Sequence, residues 1–381
     1  MAIRFNEPFL TGHERANLDA VFASGHFAGN GPFTKRAHAQ LQARTGAHHA
    51  LLTHSCTGAL ELAAMLLDLA PGDEVLMPSF TFVSTATAFM RTGATVRFCE
   101  IDPATMTLDV ADAARRLTPR TKAIVPVHYA GVGADMAGVL ALARAHGLAV
   151  VEDAAQGLDA ARDGQALGTF APLAALSFHE TKNIHCGLGG ALLINDEALF
   201  DRAEDMWERG TDRSKMFKGL VDKYSWVSPG SSFYPSELQA AFLSAQLQAV
   251  DENSLRRKAI WARYAAGLAD LAAAGLLTLP QVPADARTNG HAFFILLPTV
   301  ARADLLRETL HAQGIQLTIH YVPLHTSKMG AELGYAPDDL PVTRSAAERL
   351  LRLPLHFNLT DADVDQVVAA IGRFLRPGVA A

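Results

Sequence analysis

Cysteine is scarce in this 381-residue chain. Cys56, Cys99 and Cys186 are odd in number, far apart, and without CxxC or Cys/His ligand spacing, so no metal site is expected and they read as reduced thiols of a cytoplasmic protein. No stretch approaches the roughly 18 continuous apolar residues of a membrane span. The first residues, Met1-Ala2-Ile3-Arg4-Phe5-Asn6, lack the apolar centre of a signal peptide, so neither secretion nor membrane insertion is expected. A dominant charge is missing too: the formal net charge of -6, a pI near 6.2 and the absence of a strong basic run argue against a nucleic-acid partner. There is no internal repeat and no low-complexity tract.

What is present is ordinary globular composition, 49% hydrophobic and 19% charged, over a length that suggests two domains. Short apolar runs at 50–53, 74–77, 95–99, 123–127, 149–152, 174–178 and 191–194 alternate with helical patterns such as 59–69, 135–146 and 199–209. That alternation predicts an α/β fold with a mostly parallel sheet covered by helices on both faces. From Tyr234 the spacing of Leu238, Ala241, Phe242, Ala245, Leu247 and Val250, carried on through Trp261 and Leu268, predicts a long connecting helical tract. Beyond 280–283 the pattern predicts a smaller α+β unit, with strands near 292–297 and 317–321 and helices near 302–313 and 360–374. The expected division is a large domain over 1–250 and a small one over 251–381.

Lys182 lies in Ser177-Phe178-His179-Glu180-Thr181-Lys182-Asn183, between an apolar run and the glycine-rich Gly187-Leu188-Gly189-Gly190. Upstream, Val150-Val151-Glu152-Asp153 ends another apolar run in a carboxylate. An amine and an acid delivered by two buried strand ends can serve one planar cofactor. Pyridoxal 5'-phosphate needs both, a lysine for a Schiff base and an acid to keep its ring nitrogen protonated. Thr53-His54-Ser55-Cys56-Thr57-Gly58 joins a strand to a helix, where free N–H groups and the helix dipole favour an anion, although for this segment taken alone plain N-capping by Ser55 or Thr57 is the favoured reading. An aromatic of Pro78-Ser79-Phe80-Thr81-Phe82-Val83-Ser84 could lie against a conjugated ring or simply pack in the core. Val127-His128-Tyr129-Ala130-Gly131 ends a further strand, where ligands of such sheets bind.

In their order these pieces resemble the fold-type I pyridoxal-phosphate enzymes, and more closely the DegT/DnrJ/EryC1/StrS sugar aminotransferases, over nearly the whole chain. Also carrying the likeness are Gly29-Asn30-Gly31-Pro32-Phe33-Thr34, Pro71-Gly72-Asp73-Glu74-Val75, Glu152-Asp153-Ala154-Ala155-Gln156 and Leu353-Pro354-Leu355. Within that family, Val125-Pro126-Val127-His128-Tyr129-Ala130-Gly131-Val132, Gly210-Thr211-Asp212-Arg213-Ser214 and Val221-Asp222-Lys223-Tyr224-Ser225-Trp226 are most similar to the dTDP-4-amino-4,6-dideoxygalactose transaminases of enterobacterial common antigen and related glycans.

The resemblance implies a large domain with a mostly parallel seven-stranded sheet and a smaller C-terminal α+β domain. It implies that Lys182 carries the cofactor and moves the proton, that Asp153 pairs with the ring nitrogen and Gln156 contacts the ring hydroxyl. Phe82 would stack on the ring, and Cys56, Thr57 and Ser177 would hold the phosphate. Relatives often add a partner-subunit asparagine where this chain has Ser232, and a glutamate where it has Leu188. His320, Tyr321 and His325 match a segment bordering the sugar site. The implied partners are a nucleotide-linked ketosugar and L-glutamate, and the implied assembly is a homodimer with shared sites to which residues 217–234 contribute. A C3-specific or UDP-sugar aminotransferase of the same family, or a non-catalytic regulatory relative, is the alternative.

Overall fold

The computed structural model of the protein describes residues 2–376; the outermost residues of the expected domains, 1 and 377–381, lie outside the described residues. Seven strands form the main sheet: β1 His49–Thr53, β2 Glu74–Pro78, β3 Thr95–Cys99, β4 Thr121–Ile124, β5 Ala149–Asp153, β6 Leu173–Ser177 and β7 Gly190–Ile194. Their order is β1-β7-β6-β5-β4-β2-β3, with β7 antiparallel to both neighbours and the other pairings parallel. The strands are apolar almost throughout because helices cover both faces, as the near-continuous runs in the sequence require. The fourth apolar run stops being strand at Ile124, since Pro126 cannot donate to a ladder; pairing returns as one bridge between Val127 and Asp153.

Helix ends follow local chemistry. Ser55 caps Cys56–Leu66 by accepting from the Gly58 N–H, Asp135 caps Met136–His146, and Gly147 ends that helix in the left-handed region. The long helical tract is two helices, Glu237–Gln248 and Val250–Ala273, separated at Ala249. The break lets them serve different cores: Ala240 and Leu243 pack with the sheet, whereas Ile260, Tyr264, Leu268 and Leu271 belong to the C-terminal core.

In the C-terminal unit, β8 Phe293–Leu296 pairs antiparallel with β9 Leu350–Leu353 under the helices Val300–Ala312 and Asp361–Leu375. The strand expected over 317–321 is not formed. Its residues give only one bridge, Thr318 to Arg352, while β9 takes the neighbouring place beside β8. Ile3, inside the span expected for the large domain, bridges Ile315 and packs in the C-terminal core.

Buried carboxylates tie distant segments together. Glu237 accepts from the N–H groups of Gly31, Phe33 and Thr34 at 3.0, 2.8 and 3.0 Å and from the Thr34 hydroxyl, so it closes the N-terminus of Pro32–Thr45 from 200 residues away. Glu237→Ala removes the acceptor for several buried donors and is expected to cost about 3 kcal/mol. Exposed Glu197→Ala is expected to cost under about 0.5 kcal/mol. Urea unfolding of the two variants followed by circular dichroism checks the contrast; equal midpoints would refute it.

Candidate active site

The C-terminal ends of β5 and β6 set the site. Register pairs Ala175 with Asp153, which brings the β5 carboxylate beside the last turn of β6 and the loop that carries Lys182. Asp153 is buried; its Oδ2 accepts from Thr85 Oγ1 at 2.7 Å and its Oδ1 from the Ala155 N–H at 3.1 Å. Thr85 spends its only hydroxyl proton on that carboxylate, so Thr81, 2.7 Å away, donates to Thr85. The helix Val83–Met90 thereby orients Asp153 from across the sheet.

Lys182 sits on a turn closed by its own N–H to the His179 carbonyl at 2.8 Å. Its side chain is partly accessible only because it opens into a cavity deep between the two units. Burial lowers its pKa below the ordinary lysine value of 10.5, and nearby Arg352 pushes the same way, against the opposing effects of Cys56 and Asp153.

That cavity has a volume of about 590 Å³. One wall is the N-terminus of Cys56–Leu66, where the Cys56 and Thr57 amides precede the first intrahelical bond, Ala59 N–H to Ser55 O at 3.1 Å. Thr57 Oγ1 and Ser84 Oγ are 2.7 Å apart, and Ser177 lines the same wall. Gly190 backs this turn: a Cβ there would lie 2.4 Å from the Cys56 nitrogen, so only glycine lets β7 approach so closely.

On the opposite side Gln156 accepts from the Ala130 N–H at 2.7 Å through Oε1 and donates to Tyr321 Oη at 3.0 Å through Nε2. Ala130 and Gly131 both have positive φ, 55° and 80°, and a Cβ on Gly131 would meet the Asn289 amide, so this loop packs directly on the segment leading to β8. His320 Nδ1 lies 3.1 Å from Tyr129 Oη, and burial drives the His320 pKa well down, aided by Arg352 and Lys182. Phe82 is 56% exposed on the cavity rim, with its ring 6.2 Å from that of Tyr321.

The structure thus brings Cys56, Thr57, Phe82, Asp153, Gln156, Ser177, Lys182, His320 and Tyr321 to one cavity. It does not bring two others there. His325 is buried elsewhere, its Nδ1 2.7 Å from Ser79 Oγ and its Nε2 3.2 Å from the Pro337 carbonyl, so it braces the turn after Pro323 instead of facing the cavity. Ser232 is exposed outside the cavity of its own chain and bridges Glu208. Leu188 reaches the cavity edge, and its carbonyl accepts from Gln239 Nε2 at 2.7 Å.

Sequence reasoning missed Thr85, Ser84, His291, Arg257 and Arg352. Thr85 follows Thr81 by one helical turn, a spacing that was readable. Arg352 lies on β9, which the pattern did not single out as a strand. Among the described residues that line the cavity, Lys182, Arg257 and Arg352 stand against one carboxylate, Asp153. No group of three or more His, Cys, Asp or Glu placed to hold a metal ion occurs among the described residues, and no helix there is long and apolar enough to cross a membrane.

A mostly parallel sheet, a helix end with free amides at the cavity, and an amine and an acid on neighbouring strand ends define a fold-type I pyridoxal-phosphate enzyme. The chain belongs to the DegT/DnrJ/EryC1/StrS aminotransferase family, whose pattern it matches over residues 9–372. It is 33% identical over 380 residues to the spore coat polysaccharide biosynthesis protein SpsC of Bacillus subtilis, covering 96% of this chain and 95% of that one. It is 34% identical over 377 residues to a UDP-N-acetyl-3-dehydro-alpha-D-glucosamine 3-aminotransferase of Acidithiobacillus ferrooxidans, covering 97% and 94%. The crystal structure of the aminotransferase TlmJ from Streptoalloteichus hindustanus superposes with a TM-score of 0.89 at 32% identity, over 98% of both chains.

The protein is therefore a sugar aminotransferase, and its cofactor is pyridoxal 5'-phosphate. The residues present fit that group. An anion can rest on the free amides at Cys56 and Thr57 where glycine at 190 keeps the turn open, and a partly buried amine of lowered pKa stands in the same cavity.

The lowered pKa has a direct consequence. With the folded value below 10.5 and the unfolded value near it, the unfolded chain binds the extra proton between the two, so this group's contribution to stability rises with pH across that window. Amine-specific acylation of Lys182 in the cofactor-free protein, located by peptide mass mapping, is expected to half-titrate below 10.5. An inflection at 10.5 would refute the burial argument.

Proposed function

We propose that the protein transfers the amino group of L-glutamate to C4 of dTDP-4-dehydro-6-deoxyglucose, giving dTDP-4-amino-4,6-dideoxygalactose and 2-oxoglutarate in two half-reactions. The observation that carries transamination is the convergence of Lys182 and Asp153, from adjacent strand ends, on one cavity rich in cationic groups. The particular sugar is supported by the subgroup-like stretches 125–132, 210–214 and 221–226. The UDP-sugar 3-aminotransferase relative favours the second reading, a C3-specific or UDP-linked ketosugar substrate.

When bound, pyridoxal phosphate supplies an electron sink for the bond broken at the reacting carbon. The chain's own groups do the rest. Cys56 and Thr57 amides, with the Thr57 and Ser177 hydroxyls, would hold the phosphate at the helix N-terminus, where the dipole favours an anion. Asp153, aligned by Thr85, would keep the ring nitrogen protonated. Gln156, fixed between Ala130 and Tyr321, would contact the ring hydroxyl, and Phe82 would stack on the ring. Lys182 Nζ takes the proton from the donor carbon and later delivers one to the sugar carbon; burial keeps enough of it neutral to act as a base. His320 and Tyr321 border the sugar.

The assembly proposed is a homodimer in the cytoplasm. Phe217, Leu220, Tyr224 and Trp226 are 68%, 70%, 52% and 79% exposed, an apolar surface on the segment 217–234 that a second copy would cover while bringing Ser232 towards its cavity. Light scattering at micromolar concentration is expected to give twice the chain mass, and Trp226→Asp is expected to reduce both that mass and activity. A fully active monomer would refute the shared site.

The reaction itself is tested by mixing cofactor-loaded protein with L-glutamate and then with the ketosugar, following cofactor absorbance and identifying the product by mass and NMR. The expected result is a spectral change with glutamate, its reversal with dTDP-4-dehydro-6-deoxyglucose, a 4-amino-galacto product, and loss of all three in Lys182→Ala. Reversal only by a 3-ketosugar or a UDP-linked sugar would move the assignment to the second reading.

A further inference from the structure

His291 lines the cavity with one ring nitrogen held and the other free. Its backbone is fixed on both sides: its N–H donates to Asn289 Oδ1 at 2.9 Å, and its carbonyl accepts from Arg257 Nη2 at 2.7 Å. Asn289 is anchored in turn, its amide donating to the carbonyls of Gln156 and Leu158 at 2.9 and 2.7 Å. The ring is oriented by Asn183, the residue after Lys182, whose Oδ1 lies 2.9 Å from Nδ1. The Asn183 amide donates to the Asn289 carbonyl at 3.2 Å, and turning it over would set two carbonyl oxygens against each other. Nδ1 is therefore the protonated nitrogen, and Nε2 carries a lone pair with no partner among the described residues.

The ring is also held neutral. Burial drives its pKa well below 6.5, and the cations Lys182, Arg257 and Arg352 act in the same direction. A ligand that displaces water from this wall must bring a donor to the lone pair or leave a desolvated acceptor unpaired. Of the two substrates, L-glutamate brings its reacting donor on nitrogen. As an ammonium that group would add a positive charge among three cationic side chains, and as a free amine it is the reacting atom itself. A ketosugar brings neutral hydroxyls, which donate without adding charge. The carboxylate of Asp153 already accepts from Thr85 and Ala155. Because Asn183 ties the ring to the residue beside Lys182, the lone pair stands where the proton is handled, and a hydroxyl that reaches it sits close to the reacting carbon.

We propose that His291 Nε2 accepts a hydrogen bond from the sugar hydroxyl on the carbon next to the reacting carbonyl, and thereby selects hydroxylated ketosugars over their deoxy counterparts. The inference rests on the transamination reading above and adds a residue that reads the sugar. Asn183 acts through the histidine as a positioning residue, since it sets which ring nitrogen is left to accept.

The test uses cofactor-loaded wild-type protein, His291→Leu and His291→Gln, each first checked for cofactor retention and thermal melting. Rapid-mixing absorbance measures the two half-reactions separately, the second with dTDP-4-dehydro-6-deoxyglucose and with its 3-deoxy counterpart. The wild-type protein is expected to favour the hydroxylated sugar by about 100-fold or more. His291→Leu is expected to lose about 50-fold on that sugar and to discriminate by less than about 5-fold, with a loss at least about 10-fold smaller in the glutamate half-reaction. His291→Gln, which keeps an oxygen near the place of Nε2, should recover part of the sugar loss. Nitrogen NMR of histidine-labelled protein, with the His291 signals assigned by their loss in His291→Gln, reads the tautomer without turnover and should show Nε2 unprotonated. A wild type indifferent to the missing hydroxyl, a glutamate loss in His291→Leu as large as the sugar loss, or a proton on Nε2 would each overturn the proposal. If only a 3-ketosugar or a UDP-linked sugar reverses the spectrum, the same comparison is made with that sugar and its analogue lacking the neighbouring hydroxyl. A wild-type protein whose spectrum ignores every L-amino acid would instead overturn the transamination reading.

Discussion

Glu152 is the constraint on which the site is built. It is fully buried in β5 and accepts from His128 Nε2 at 2.9 Å and from the N–H groups of Gly168, Phe170 and Ala171 at 2.9, 2.8 and 2.8 Å. The Ala134 N–H donates to His128 Nδ1 at 3.1 Å, which leaves the histidine proton on Nε2, pointing at the carboxylate. One side chain therefore fixes the loop after β4 and the turn that enters β6. Because neighbours on a strand face opposite ways, the same rigid strand end turns Asp153 to the cavity. Glu152 holds the frame, and Asp153 lines the cavity.

The same device recurs at the edges. Glu237 closes the N-terminus of Pro32–Thr45, and Glu100 accepts from the Val342 and Thr343 N–H groups at 3.0 and 2.7 Å, closing Pro341–Arg349. Each joins a carboxylate to the free amides of a helix far away in sequence, where the dipole and the orphan donors both favour it. A buried carboxylate with several N–H donors tolerates little displacement, so the Glu237 link fixes the edge of the large unit and the Glu100 link sets the position of one unit against the other. The cavity lies along that joint, lined by Asp153 and Lys182 from the sheet and by His291, His320 and Arg352 from the C-terminal unit.

Legibility in the sequence divided along physical lines. The sheet strands could be read because helices cover both faces, which forces unbroken apolar runs, and the place of Lys182 and Asp153 at one cavity could be read because each follows such a run within a few residues. Elements held by few or distant contacts could not. Nothing local marks Leu350–Leu353 as a strand over 317–321; the choice is made by pairing with Phe293–Leu296 across half the small unit. Nor does local sequence say that Ile3 joins Ile315. His325 looked like a site residue beside His320 and Tyr321, but a 3-10 turn at Leu324–Thr326 rotates it onto Ser79. Adjacency in sequence does not survive such a turn.

The cavity's charge explains why the two units must meet at all. The sheet alone offers Lys182 near Asp153, a pair that would largely neutralise itself; the C-terminal unit adds Arg257 and Arg352 and three histidine or tyrosine groups with little tendency to ionise, namely His291, His320 and Tyr321. Burial and neighbouring cations keep both histidines neutral, so they offer hydrogen bonds without adding charge. His291 Nδ1 faces Asn183 Oδ1 at 2.9 Å, and the Asn183 amide donates to the Asn289 carbonyl, so the carbonyl end of Asn183 must accept from the ring and the lone pair on Nε2 is left unused. The result is a cavity in which three cationic side chains stand against one carboxylate, with neutral but polar groups beside them. Such a cavity favours negative charge on what it binds without any of its walls being rebuilt.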